Sequence, residues 1–81
     1  MPTIKKIYAD VLRGQSDHNL RFSDLKRLLD ALGFKCSVRG NHFIYRRDDT
    51  PIINIQPENG KAKAYQVRQI REIIISVGLE V

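Results

Sequence analysis

Gly33 stands at the point where the hydrophobic period of this chain changes. Before it, Leu25, Leu28, Leu29 and Leu32 recur at the three- and four-residue spacing of a helix face. After it, Phe34, Cys36 and Val38 alternate with Lys35, Ser37 and Arg39, the two-residue period of a strand. A glycine at this joint accepts the left-handed backbone that closes a helix, and Phe34 is placed to fold back on the last turn. Helix and strand are thus both required, and the expected class is α+β.

The remaining elements follow from the same two periods. Ser23 reads as the N-cap of the leucine helix, with Asp24 at the positive end of its dipole. Upstream, Ile4, Ile7, Tyr8 and Val11 predict a short amphipathic helix over 3–13, capped by Thr3 and stopped by Gly14. Residues 14–19 read as a loop and 19–22 as an extended connection. Gly40-Asn41 predicts a tight hairpin in which both residues take positive φ, followed by a strand over 42–47. Asp48-Asp49-Thr50-Pro51 turns the chain into a third strand, Ile52-Ile53-Asn54-Ile55, which ends at Pro57-Glu58-Asn59-Gly60. A final helix over 64–77 carries Val67, Ile70, Ile73, Ile74 and Val77 on one face, with Gly78 as its cap. Two helices on one face of a three-stranded antiparallel meander would bury both stripes and leave the other face available. No internal repeat or low-complexity segment interrupts this order.

Eighty-one residues with 42% hydrophobic content make one small domain with a single core, so any active site must be shallow. Fourteen Lys plus Arg against nine Asp plus Glu give net +5, which favours a polyanionic partner. The longest apolar run, Ile73-Ile74-Ile75, is far short of a membrane span, and the first residues do not read as a signal peptide. A cytoplasmic protein with no membrane partner is expected. Cys36 is the single cysteine, so no internal disulfide can form, and it is expected to pack as a small apolar residue. His18 and His42 lie too far apart for a zinc-like spacing, and Asp48-Asp49 reads as a turn, so neither a metal nor another cofactor is assigned.

His42 is the residue that could carry chemistry. Imidazole titrates close to neutrality and can both take and give a proton. RNA brings its own nucleophile, the 2′-hydroxyl, so one histidine beside cations that steady the phosphate is enough to cleave it. The cations available are Lys35, Arg39 and Arg46 on the first two strands and Lys61 and Lys63 before the last helix, with Arg47, Arg68 and Arg71 extending the positive side. Gly40 and Asn41 form the turn that positions the site. Alternation puts His42, Ile44 and Arg46 on one face and Phe43, Tyr45 and Arg47 on the other, so a working His42 requires Phe43 and Tyr45 in the core. The competing readings are a histidine satisfied by hydrogen bonds on a half-buried strand and an ordinary solvated set of cations. Tyr8 and Tyr65 read as helix packing residues, with base-stacking platforms as the alternative, and His18 as a solvated loop residue.

Residues 22–79 resemble the HicA toxins of bacterial toxin–antitoxin pairs. The resemblance rests on Phe22-Ser23-Asp24-Leu25-Lys26-Arg27-Leu28-Leu29, on Leu32-Gly33-Phe34, and on Arg39-Gly40-Asn41-His42-Phe43-Ile44-Tyr45-Arg46. Val67-Arg68-Gln69-Ile70-Arg71-Glu72-Ile73-Ile74, followed by Gly78-Leu79, is similar to the family's last helix. The resemblance implies a fold like a double-stranded RNA-binding domain over 22–81, with 1–21 as an N-terminal extension that covers the open sheet face or contacts a partner. It also implies an endoribonuclease that cuts mRNA, takes part in a stress response and is held inactive by a HicB-like antitoxin. His42 matches the catalytic histidine by position. Phe43 replaces a second histidine common in the family, and Gln56-Pro57-Glu58 stands where another would follow the third strand.

Two other functions fit the same pattern. A non-catalytic RNA-binding module would use the basic face alone, reading duplex RNA by shape and phosphate contacts. An interaction protein would turn that face to an acidic protein and show no affinity for RNA.

Overall fold

The computed structural model describes residues 2–81. Its order is α1 (Ile4–Arg13), α2 (Phe22–Ala31), β1 (Lys35–Arg39), β2 (His42–Arg46), β3 (Ile53–Ile55), β4 (Pro57–Glu58), β5 (Lys61–Ala62) and α3 (Ala64–Val77). The class is α+β: β1, β2 and β3 form an antiparallel sheet in that spatial order, and β4 and β5 form a separate small hairpin. Leu25, Leu28 and Leu29 of α2 and Val67, Ile70, Ile73 and Ile74 of α3 share one core with Tyr45, Ile53 and Ile55 of the sheet. Among the described residues, no helix is long and apolar enough to cross a membrane.

The joint at Gly33 is built as its sequence implies. Gly33 has φ +89°, its N–H donates to Asp30 C=O at 3.1 Å, and the N–H of buried Phe34 donates to Leu29 C=O at 3.2 Å. Those two bonds satisfy carbonyls at the end of α2 that have no partner within the helix. The start of α2 departs from expectation. Ser23 is not its N-cap, because the helix begins at Phe22 with Arg21 as cap residue and no side-chain cap bond. The N–H of Phe22 instead donates to Gly60 C=O at 3.0 Å, and Ala62 N–H donates to Leu20 C=O at 2.9 Å. The β4–β5 hairpin therefore lies against residues 20–22 and does the capping. Its turn places Asn59 at φ 53° and Gly60 at φ 77°, the double positive φ that was expected at Gly40-Asn41. In the first hairpin only Gly40 takes positive φ, +61°, so that turn is the glycine-first kind and Asn41 has ordinary backbone.

Helix α1 packs against α2 and α3, so it joins the helical layer and does not cover the open face of the sheet. Ile7 and Val11 are in the common core, and Tyr8 Oη donates to Leu79 C=O at 2.6 Å. The loop after α1 is locked by Arg71, which donates to both carboxylate oxygens of buried Asp17 at 3.0 and 3.1 Å and to Val11 C=O at 3.1 Å. Gly14 passes so close that a Cβ there would lie 2.9 Å from Arg71 Nη1, and its φ is +75°. Arg71 is thus an internal staple, not a free cation on the positive side.

Strand β1 is exposed along its whole length. Cys36 and Val38 share the face of their cross-strand partners Tyr45 and Phe43, but the helical layer does not extend over this edge. Cys36 is therefore not a packed core residue.

Candidate functional site

The register of the sheet fixes what lies around His42. Arg39 is its direct cross-strand partner across the Gly40-Asn41 turn, and Ile44 opposite Asn54 brings β3 alongside. Arg39, His42, Ile44, Arg46 and Asn54 thus occupy the face away from the core, and His42 is exposed. On the opposite face Tyr45 is buried and Phe43 half-buried. Phe43 meets Phe22 edge-on, ring centroids 5.1 Å apart, with the Lys26 ammonium 4.8 Å above its ring. The residue after His42 therefore points away from the site. Burial pushes the Tyr45 phenol well above its ordinary value, with the adjacent Cys36 thiol adding to the shift.

His42 lines a shallow depression of about 240 Å³ together with Asn54, Gln56, Tyr65 and Gln66. Its Nδ1 lies 3.3 Å from Asn54 Oδ1. The Gln56 amide nitrogen lies against the face of the ring, 2.7 Å from Nε2 and 3.0 Å from Nδ1. Lys63 Nζ donates to Gln56 Oε1 at 3.2 Å, and because an ammonium can only donate, it turns the Gln56 NH₂ toward the imidazole. Asn54 Oδ1 is an acceptor facing Nδ1, so it is complementary to an imidazole that carries its proton on Nδ1. In that tautomer Nε2 carries the lone pair, the form a general base needs.

Gln66 holds the frame. It is buried in the first turn of α3, where Gln56 N–H donates to its Oε1 at 3.3 Å and its Nε2 donates to Asn54 C=O at 3.4 Å. Those two backbone groups point outward from the free edge of β3, so one side-chain amide takes the place of a further strand. The same Nε2 lies 3.4 Å from Tyr65 Oη. Tyr65 itself is 56% exposed and is not a packing residue, whereas Tyr8 does pack against the core.

The cations divide into groups. Arg39 and Lys63 flank His42. Lys35 and Arg46 pair with each other at the far end of the sheet, where Arg46 Nη1 donates to Ser37 Oγ at 3.1 Å. Lys61 faces a second depression, shared with His18, Glu58, Asn59 and Lys63. Among the described residues none of these five cations is in an ion pair, whereas Lys6, Arg13, Arg27, Arg47 and Arg71 are. Arg47 also donates to Leu32 C=O at 2.9 Å, tying β2 to the end of α2. The described residues include no cluster of three His, Cys, Asp or Glu side chains that could hold a metal ion.

The sequence groups Lys35, Arg39, Arg46, Lys61 and Lys63 with His42, whereas the fold brings Arg39 and Lys63 toward it, sets Lys35, Arg46 and Lys61 apart, and adds Asn54, Gln56, Gln66 and Tyr65. For Tyr65 a signal existed: two residues before Val67 is about 200° around the helix from the buried stripe. Comparison with family models, with curated proteins and with solved structures returns no match for this chain.

Proposed function

We propose that this protein is a ribonuclease toxin of the HicA kind, an endoribonuclease acting on mRNA with His42 as its single general acid and base. The observation that carries this reading is the environment of His42. Its imidazole is exposed on the uncovered sheet face, backed by Asn54, presented by Gln56 and Lys63, and flanked by Arg39. A 2′-hydroxyl that displaces the Gln56 amide meets the Nε2 lone pair and gives up its proton. The 2′-oxygen then attacks the adjacent phosphorus, and the imidazolium returns the proton to the departing 5′-oxygen. The products are a 2′,3′-cyclic phosphate and a 5′-hydroxyl. Arg39 and Lys63 would offset the charge that develops on the phosphate, while Lys35, Arg46 and Lys61 would hold the flanking backbone. In this reading the fold is of the double-stranded RNA-binding type, and a HicB-like antitoxin holds the enzyme inactive.

The test is cleavage of RNA in EDTA by wild type and by His42→Ala. Wild type is expected to leave 5′-hydroxyl ends, and His42→Ala to lose at least a hundredfold in rate while melting at the same temperature. Expression of wild type should arrest growth, and His42→Ala should relieve the arrest. If both proteins bind RNA with a steep salt dependence and leave it intact, the chain is a non-catalytic RNA-binding module.

A further inference from the structure

We infer that Tyr65 is a base-stacking platform and that the RNA taken by this site is single-stranded around the reacting phosphate. The inference rests on the ribonuclease reading above and adds a binding subsite to it. Three tyrosines occur in the chain, and two are committed to the fold: Tyr45 is 2% exposed, and Tyr8 donates to a main-chain carbonyl. Tyr65 is 56% exposed and forms a wall of the depression that contains His42. Its hydroxyl lies by buried Gln66, the same amide that clamps the backbone on both sides of Ile55. The ring is therefore registered to Asn54 and Gln56, the two side chains that touch the imidazole.

Chemistry selects the occupant. A phosphate between Arg39 and Lys63 brings a nucleobase to the wall beside it, and every base has a face that stacks on an aromatic ring. In an A-form duplex those faces are already stacked on one another, so an exposed ring can reach one only where the strand is unpaired. The neutral amides of Asn54 and Gln56 impose no charge on the base, consistent with stacking that tolerates sequence.

The experiment measures binding in a His42→Ala background, where no cleavage intervenes. Probes are a short single-stranded RNA, the same RNA with one abasic position moved stepwise along it, and a duplex of the same sequence. Tyr65→Ala is expected to weaken single-strand binding about 5- to 150-fold, the range set by loss of one base–aromatic stack, and Tyr65→Phe to hold within about twofold. One abasic position should remove the difference between the Tyr65 and Tyr65→Ala proteins. Equal affinity of Tyr65→Ala and its parent for the single strand, or tighter binding of the duplex by the parent, overturns the proposal. No affinity for any probe overturns both this proposal and the ribonuclease reading. Binding that depends on Tyr65, together with the absence of His42-dependent cleavage in the wild-type background, overturns catalysis alone.

Discussion

The side-chain nitrogen of Gln56 lies 2.7 Å from Nε2 of His42, and two nitrogens at that distance cannot both donate. Lys63 donates to the Gln56 oxygen, which turns the amide NH₂ toward the ring, while Asn54 Oδ1 offers Nδ1 an acceptor. Nitrogen-15 spectra of the neutral imidazole should therefore show His42 protonated on Nδ1, the nitrogen that faces Asn54 Oδ1. Lys63→Met removes the constraint on the amide, and both tautomers should then be observed with a fall in cleavage rate. An unchanged tautomer in Lys63→Met would show that Lys63 does not orient the amide.

Arg39 and Arg46 lie on the same sheet face, but only Arg39 is registered opposite His42; Arg46 lies four residues along β2, about 13 Å away. Arg39→Ala is expected to lower kcat/KM about 100-fold, chiefly through kcat. Arg46→Ala should cost about 10-fold at most and act through KM. Each should reduce the slope of log affinity against log salt by about one. Equal effects on kcat would mean that position along β2 has no bearing on the reaction.

Arg71→Ala strands the Asp17 carboxylate, whose side chain is only 9% exposed, without its bidentate partner. A loss of about 3–5 kcal/mol in urea unfolding is expected, and Arg71→Lys should not fully restore it because an ammonium cannot match both carboxylate oxygens. RNA affinity of the still-folded variant at low temperature should be unchanged. A fall in affinity would place Arg71 among the phosphate contacts.

Tyr45 sets an alkaline limit. Below pH 10 both the folded and the unfolded chain keep the phenol proton, so its contribution to stability is complete. Above that, the unfolded chain releases the proton while burial makes the folded chain retain it, and stability falls by about 1.4 kcal/mol per pH unit from this group. Tyr45→Phe should remove that part of the decline between about pH 10 and pH 11.5. Superimposable pH profiles for the two proteins would rule Tyr45 out as its source.

What could be read from the chain was whatever has a period. The stripes of α1, α2 and α3 and the alternation of β2 place the core and the exposure of His42, because burial of an apolar face repeats along the sequence. Features that depend on one long-range partner have no such signature. Ser23 has the chemistry of a cap, but the amide of Phe22 was satisfied by Gly60, nearly forty residues away, so the helix began earlier. Two-residue strands such as β4 and β5 are too short to alternate. Asn54, Gln56 and Gln66 are neutral amides with no spacing rule, and their roles exist only once β3 and α3 are side by side. Cys36 did obey the alternation, but it lies on an edge strand that the helices do not reach.

The single amide of Gln66 has a consequence for how copies of this chain meet. By occupying the outward hydrogen-bonding groups of Asn54 and Gln56, it closes that side of the sheet to growth and leaves β1 as the long open margin. Two β1 strands paired antiparallel about Ser37 would set Lys35 of each copy against Arg39 of the other, like charge against like. The margin thus carries its own guard against strand-by-strand assembly into fibres, a hazard that every uncovered sheet edge presents.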